Sequence, residues 1–433
     1  MLSYTKRFLG KEYTLLIVYK LLLEYCYVRI QVPVFEYVGY SYAYNVTRII
    51  LGWSLALGAF SLLRYKNSNL YSLFIYIIFF VSIVPFIVIF QYCSKFELWM
   101  VLVQLIFIIF MRFLLTDKKT HKAHLNFMVR YDNKSLRFFL FAFLGLYFIY
   151  IFARSGVPSP ESLLFENVYD IRGESKLPLL LIITQNFLCR IVIPLTLLIA
   201  IGEKKWVAVC FVILIQVYTF AVTGFKTYLF IPLMMIGLKL MPSLNLKRTI
   251  LVALPLVLIA GIVLYKITDN YMLSAIFSDR IFFFPAYIKY CYFDFFCTNE
   301  FVYYSQNSIA KILGVHSNYE TLVSYMIGGI YFDKPEMMTN TGYMADAYSN
   351  LGVIGILLMS LILAVVIRYS KRRLDLFPAE LQSSISAIFI IFFYTLNDGH
   401  VINVLFSGGM LFVVLLISFI DFSHKKKSSY NNS

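Results

Sequence analysis

Charge is scarce in this chain: only 14% of its 433 residues are Asp, Glu, Lys or Arg, against about a quarter in an ordinary soluble domain. That shortage excludes the soluble globular classes, and hydrophobic residues make up 60% of the chain. Cysteine is thin as well. The six at positions 26, 93, 189, 210, 291 and 297 show no CxxC spacing and lie mostly in apolar surroundings, so neither a metal site nor a disulfide framework is indicated. A phosphate-cradling glycine loop, an HExxH pair and a nucleophile elbow are all missing, which leaves nucleotide hydrolysis, zinc proteolysis and serine esterase chemistry unsupported. Four of the five histidines (His121, His124, His316 and His424) fall in loops or the tail, so the buried histidine of a membrane O-acyltransferase has no counterpart. The short alternating strands of a membrane barrel do not occur either.

What is there is a series of apolar runs of about twenty residues, each long enough to cross a hydrocarbon core of roughly 30 Å. They predict an all-α, polytopic integral membrane protein, residues 1–433 forming a single membrane domain with about twelve transmembrane helices. The predicted spans cover residues 13–30, 45–63, 70–90, 97–115, 136–153, 177–201, 206–223, 226–241, 249–267, 351–367, 383–396 and 402–420. The formal net charge of +15 does not point to nucleic acid, because the Lys and Arg residues sit beside the spans. There they act as topology signals and meet anionic headgroups. Lys6, Arg7 and Lys11, the basic stretch from Lys118 to Arg137, and Lys425 to Lys427 place both termini in the cytoplasm. The first span carries Lys20 and Glu24 and lacks a small-residue cleavage site, so it reads as retained rather than as a signal peptide. Two external loops follow from this orientation, a first at 154–176 and a large one at 268–350. Long polar loops on membrane proteins commonly carry the chemistry.

Candidate chemistry starts with cations on the outer side. Arg154, Arg172 and Arg280 are external in this topology, and a guanidinium fork suits bidentate binding of phosphate oxygens; the bland alternatives are snorkelling for Arg154 and a surface pair with Asp170 or Glu174 for Arg172. Arg190 lies inside the sixth span, where an unpaired charge costs at least about 2.5 kcal/mol. Its counter-ion must come from another helix or from a ligand. Lys226 sits in the tight turn Thr223-Gly224-Phe225-Lys226. Aromatic residues from Tyr287 to Phe296 fit a segment at the membrane interface, with sugar stacking as the sharper reading. Among the external carboxylates Glu166, Asp170, Asp294, Glu300 and Asp346, Asp346 and Asp294 are the candidates for general-base work. His400, beside Asn397 and Asp398, titrates near neutral pH.

Three blocks carry a resemblance. They are Thr223-Gly224-Phe225-Lys226-Thr227; Asp279-Arg280-Ile281-Phe282-Phe283-Phe284-Pro285 with Tyr292-Phe293-Asp294-Phe295-Phe296; and the stretch from Asn340 through Tyr343 and Asp346 to Gly355. In these and in topology the chain resembles the Wzy-type O-antigen, or oligosaccharide repeat-unit, polymerases. The Arg-containing motif of some members, an Arg with Gly eleven positions later, has no match at Arg154, Arg172 or Arg280. The resemblance implies a glycosyltransferase of the bacterial cytoplasmic membrane that joins undecaprenyl-diphosphate-linked oligosaccharides into O-antigen or capsule on the external face. It further implies Asp346 or Asp294 as base, with Arg154, Arg172, Arg190, Lys226, Arg280 and Tyr343 binding the diphosphate and sugar. No cofactor and no metal is expected. Membrane lipids, a chain-length regulator and a flippase of the same pathway are the implied partners. A flippase for the same lipid-linked units and an O-antigen ligase are the rival readings.

Overall fold

A computed structural model of the chain describes residues 2–65, 67–116, 129–130, 133–159, 162, 184–240, 246–271, 275–307, 310 and 314–421. Most of these residues are helical; the extended pairing among them is a two-residue parallel one of Val129–Arg130 with Ile420–Asp421. Seven helices are long and apolar enough to cross a membrane: Val46–Leu63, Leu70–Tyr92, Phe138–Ser155, Thr184–Gly202, Trp206–Thr223, Leu246–Thr268 and Tyr343–Leu374. Shorter apolar helices at Leu98–Leu114, Thr227–Lys239, Leu381–Thr395 and Met410–Phe419 occupy further expected spans. By length and composition the chain is a multi-pass membrane protein, with seven full-length spans among the described residues where twelve were expected.

Proline organises the helices in a recurrent way. The wide π-helical turns Tyr27–Gln31, Ile78–Ile83, Leu188–Val192 and Ala275–Phe283 each end two residues before a proline, respectively Pro33, Pro85, Pro194 and Pro285. A proline ring clashes with the carbonyl four residues earlier and offers no N–H to it, and a wider turn relieves both conflicts. Pro232 and Pro255 sit inside α-helices instead.

The chain forms two compact units. The first comprises Met1–Asp117, Lys247–Ile367 and Phe393–Val401. Its centre is the Leu70–Tyr92 helix, completely buried. A capping box starts it: the Asn69 side chain accepts from Ser72 N while Ser72 Oγ accepts from Asn69 N, both at 2.9 Å, satisfying donors that a helix start leaves orphaned. Gly52 lets Gln91 lie against the Val46–Leu63 helix, since a Cβ there would fall 2.5 Å from Gln91 Cγ. Gln91 in turn accepts from the buried Lys20 ammonium at 2.7 Å, beside the ion pair of Lys20 with Glu24. At one end Lys247 bonds Tyr65 O and pairs with Glu12, both at 2.8 Å. At the other, Ala43 N donates to Tyr92 O at 2.7 Å and Arg48 Nη1 to Ser94 O at 3.3 Å. The second unit comprises Lys118–Leu246, Arg368–Phe392 and Ile402–Ser433. Its helices Trp206–Thr223 and Lys226–Leu240 form a hairpin reversed at Gly224, whose φ of 65° suits a residue without a Cβ.

The stretch 268–350, expected as one long loop, holds three helical segments: 275–296, Val323–Phe332 and the start of Tyr343–Leu374. Residues 275–296 are anchored into the first unit rather than free of it. Tyr40 OH donates to Asp279 at 2.8 Å, Gln31 Nε2 donates to Ser278 Oγ at 2.8 Å, and the buried Lys289 ammonium donates to Ser82 and, at 3.1 Å, to Gln104. Pro285 to Phe293 are buried without a break, while Arg280 is exposed at the π-helical turn before them, so this segment is a core helix of the unit.

Candidate functional site

The most structured polar constellation in the first unit surrounds the break in the Tyr343–Leu374 helix. Leu351 and Gly352 leave helical geometry there, Gly352 at φ 60° and ψ −144°. The cause is competition for carbonyls. Ser349 O and Asn350 O accept from Val302 N at 2.9 Å and Tyr303 N at 3.1 Å, and Asn350 Oδ1 takes Tyr304 N at 2.7 Å. The helix thus ends its first section by bracing another segment. That segment is strained: Tyr303 and Tyr304 have φ of 53° and 57°, unusual for bulky side chains and costing of order 1–3 kcal/mol each.

Asp346 stands one turn before the break. Its Oδ1 lies 2.7 Å from His400 Nδ1 and 3.2 Å from Asn350 Nδ2, which also donates to Asp346 O at 2.8 Å. Phe107 packs on Tyr343 at 5.3 Å and Trp99 on Tyr348 at 6.1 Å, so this short section climbs along the Leu98–Leu114 helix from roughly 14 Å inside it to its Leu98 end. His400 comes from the break between Ala379–Thr395 and Val401–Leu405. Tyr343 N donates to Leu396 O at 3.0 Å, and a Cβ on Gly342 would fall 2.2 Å from Asn397 O, so these two non-helical stretches meet backbone to backbone.

The electrostatics follow. Burial opposes a charge on His400, but the hydrogen bond and the negative charge of Asp346 outweigh it and hold the imidazole above its ordinary range. Nδ1 faces the carboxylate, leaving Nε2 with no hydrogen bond among the described residues and the ring a third exposed. Burial, then the Asp346 charge, push the Tyr304 phenol up, so it stays a donor. Its buried hydroxyl has no hydrogen-bond partner among the described residues. One carboxylate therefore holds the imidazole by Nδ1, while Tyr304, tied to Asn350 through its backbone N, feels the same negative charge.

The sequence candidates distribute as follows. Arg280, Asp294, Tyr343 and Asp346 belong to the first unit; Arg154, Arg190 and Lys226 belong to the second. Arg172 lies outside the described residues. Asp294 accepts from Tyr331 OH at 2.6 Å. Exposed Arg280 lies over the Phe284 ring at 4.8 Å. Tyr343 is buried, its ring packed in the core. Arg154 is exposed in the last turn of its helix, Arg190 is half-buried in a π-helical turn, and Lys226 begins a helix. Sequence reasoning noticed His400 without pairing it, and missed Tyr304 and Asn350. Asn350 stands within the block that carried the resemblance, but nothing local marks Tyr304. Among the described residues no three His, Cys, Asp or Glu side chains cluster as metal ligands, and Cys291 and Cys297 are free thiols. Comparison with family models, with curated proteins and with solved structures finds no match to this chain.

Proposed function

We propose that this protein is a membrane glycosyltransferase that joins undecaprenyl-diphosphate-linked oligosaccharide repeat units into O-antigen or capsular polysaccharide on the external face of a bacterial cytoplasmic membrane. The observation that carries the reading is the 2.7 Å contact of Asp346 Oδ1 with His400 Nδ1, which leaves Nε2 unengaged. Such a pair is a general base: the carboxylate fixes the tautomer and the far nitrogen takes the proton. In the proposed reaction the acceptor hydroxyl loses its proton to His400 Nε2 as its oxygen bonds the anomeric carbon. The bond from that carbon to the diphosphate breaks, and the electron pair leaves with the lipid diphosphate. Asp346 positions the imidazole and offsets the charge it gains. Developing positive charge on the sugar favours a carboxylate nearby, and cations stabilise the leaving group.

The test is deletion of the gene followed by gel analysis of surface polysaccharide, with complementation by His400→Ala and Asp346→Asn. Loss of the long-chain ladder with one unit still attached, unrestored by His400→Ala, supports the polymerase. Loss of every attached unit points to a ligase or a flippase. One feature favours the flippase: helices broken at Leu351–Gly352 and after Thr395 are the form that transporters use to line a substrate path. Lipid-linked oligosaccharide trapped on the cytoplasmic leaflet of the deletion strain is the result that selects it.

A further inference from the structure

The second unit contains a polar layer inside otherwise apolar helices, and its hydrogen bonds do not close. Gln216 is fully buried, and its Nε2 donates to Tyr228 O at 2.7 Å and, more weakly, to Cys189 O at 3.4 Å. Two carbonyls fix the amide in that sense, because a flipped amide would set oxygen against oxygen. Gln216 Oε1 is then a buried acceptor without a donor among the described residues. Within a turn of Cys189 two buried donors are likewise unmatched: Gln185 Nε2, on a side chain only 2% exposed, and Arg190 Nε. No carboxylate pairs with Arg190 among the described residues. Native interiors seldom leave such groups unpaired, and each calls for an explanation.

The layer lies near one end of the unit. Tyr218 OH donates to Gly156 O at 2.6 Å, joining the Ser155 end of the Asn133–Ser155 helix to the Thr223 end of the Trp206–Thr223 helix. Tyr228 OH donates to Asn186 Oδ1 at 2.9 Å, so the first turn of the Lys226–Leu240 helix meets the Thr184–Gly202 helix. Arg154 is exposed at this same end.

We infer that Gln185, Arg190 and Gln216 form a binding site for a lipid headgroup that carries both a phosphate and a hydroxyl. The phosphate oxygens accept from Arg190 Nε and Gln185 Nε2, the guanidinium supplies the charge complement, and the hydroxyl donates to Gln216 Oε1. This chemistry is shared by phosphatidylglycerol and by a glycosylated polyprenyl diphosphate, and it excludes phosphatidylcholine, which has the phosphate but no hydroxyl donor. The inference does not depend on the reaction proposed for the first unit.

The experiment is native mass spectrometry of the delipidated full-length chain titrated with phosphatidylglycerol, phosphatidylcholine and a glycosylated undecaprenyl diphosphate. Wild type is expected to retain phosphatidylglycerol or the glycosyl diphosphate at least tenfold more tightly than phosphatidylcholine. Gln185→Leu and Arg190→Gln are each expected to reduce that preference about tenfold or more. Preference for phosphatidylglycerol identifies a bilayer lipid as occupant, and preference for the glycosyl diphosphate identifies a biosynthetic one. Equal retention of all three lipids by the wild type overturns the inference, as does an unchanged preference in folded Gln185→Leu. The wild-type comparison decides even if Arg190→Gln fails to fold.

Discussion

At the scale of single residues, the Asp346 and His400 pair makes a directional prediction about pH. His400 is held above the imidazole range in the folded protein, so the stability this pair contributes is fully present below the unfolded value of about 6.5. It is lost as pH rises through the folded value. Activity runs the opposite way, since a general base must be neutral, so the rate should climb with pH through that same raised value. Asp346→Asn removes the charge that raises it and should move the limb to lower pH while reducing the rate. A pH–rate profile of polymer synthesis by the two proteins measures this, and a limb that stays in place removes His400 from the base role. His400→Ala should lower the rate by about 10²- to 10⁴-fold, the usual worth of a general base, and the stability it removes should shrink as pH rises through the folded value. Gly342→Ala should cost stability at every pH. Its Cβ would fall 2.2 Å from the Asn397 carbonyl, which is backbone and cannot swing away. A loss of about 1–3 kcal/mol is expected, read as a lower unfolding temperature in detergent. None of these partnerships was visible locally. Asp346 and His400 were each noticed as titratable, but only the fold brings Asn397 against Gly342 and so places the imidazole on the carboxylate.

At the scale of elements, long apolar runs were the most legible feature. The helices Val46–Leu63 and Trp206–Thr223 end within a residue of where hydropathy puts them, because a run flanked by Asn45 and Arg64, or by Lys205 and Gly224, has unambiguous stops. Residues 275–296 were read as loop for an equally physical reason. Asp279, Arg280, Lys289 and Asp294 make the segment look solvated, whereas two of them, Asp279 and Lys289, are buried against the side chains of Tyr40, Ser82 and Gln104. Pro285 stands in the first turn of the α-helical part, directly after the π-helical turn Ala275–Phe283. The same coupling gives a test at Pro194. Pro194→Ala removes the reason for the wide turn Leu188–Val192; closing it to α geometry rotates the residues before it by about 100°. Arg190 and Gln185 would be re-aimed, so the variant should fold with an unchanged or raised unfolding temperature and lose the lipid preference expected of the wild type. Retention of that preference shows that the turn persists without the proline.

For the whole molecule, composition alone established a helical, multi-pass membrane protein, since 14% charged residues leave no other home for this much apolar surface. The number of crossings was less legible. Helices such as Leu98–Leu114 and Met410–Phe419 are apolar but short, and a run of that length serves equally as a span, a half-span or a buried core helix. Orientation is open to direct measurement. Reporter fusions at residues 3 and 430 should both report cytoplasm, and one at residue 316 should report the opposite side; a cytoplasmic signal at 316 removes the external-face chemistry proposed above.

The first unit is discontinuous in sequence: its last piece, Phe393–Val401, follows a return of the chain to the second through Arg368–Phe392. Synthesis therefore cannot complete it in passing. Asp346 is made while its histidine is still to be translated, and for that interval the ribosome and insertion machinery hold a nascent protein whose acidic group lacks its basic partner. A message ending before codon 400 should yield a species that inserts its early helices yet is cleared by membrane quality control. Supplying residues 379–433 as a separate polypeptide is the manipulation that would rescue it.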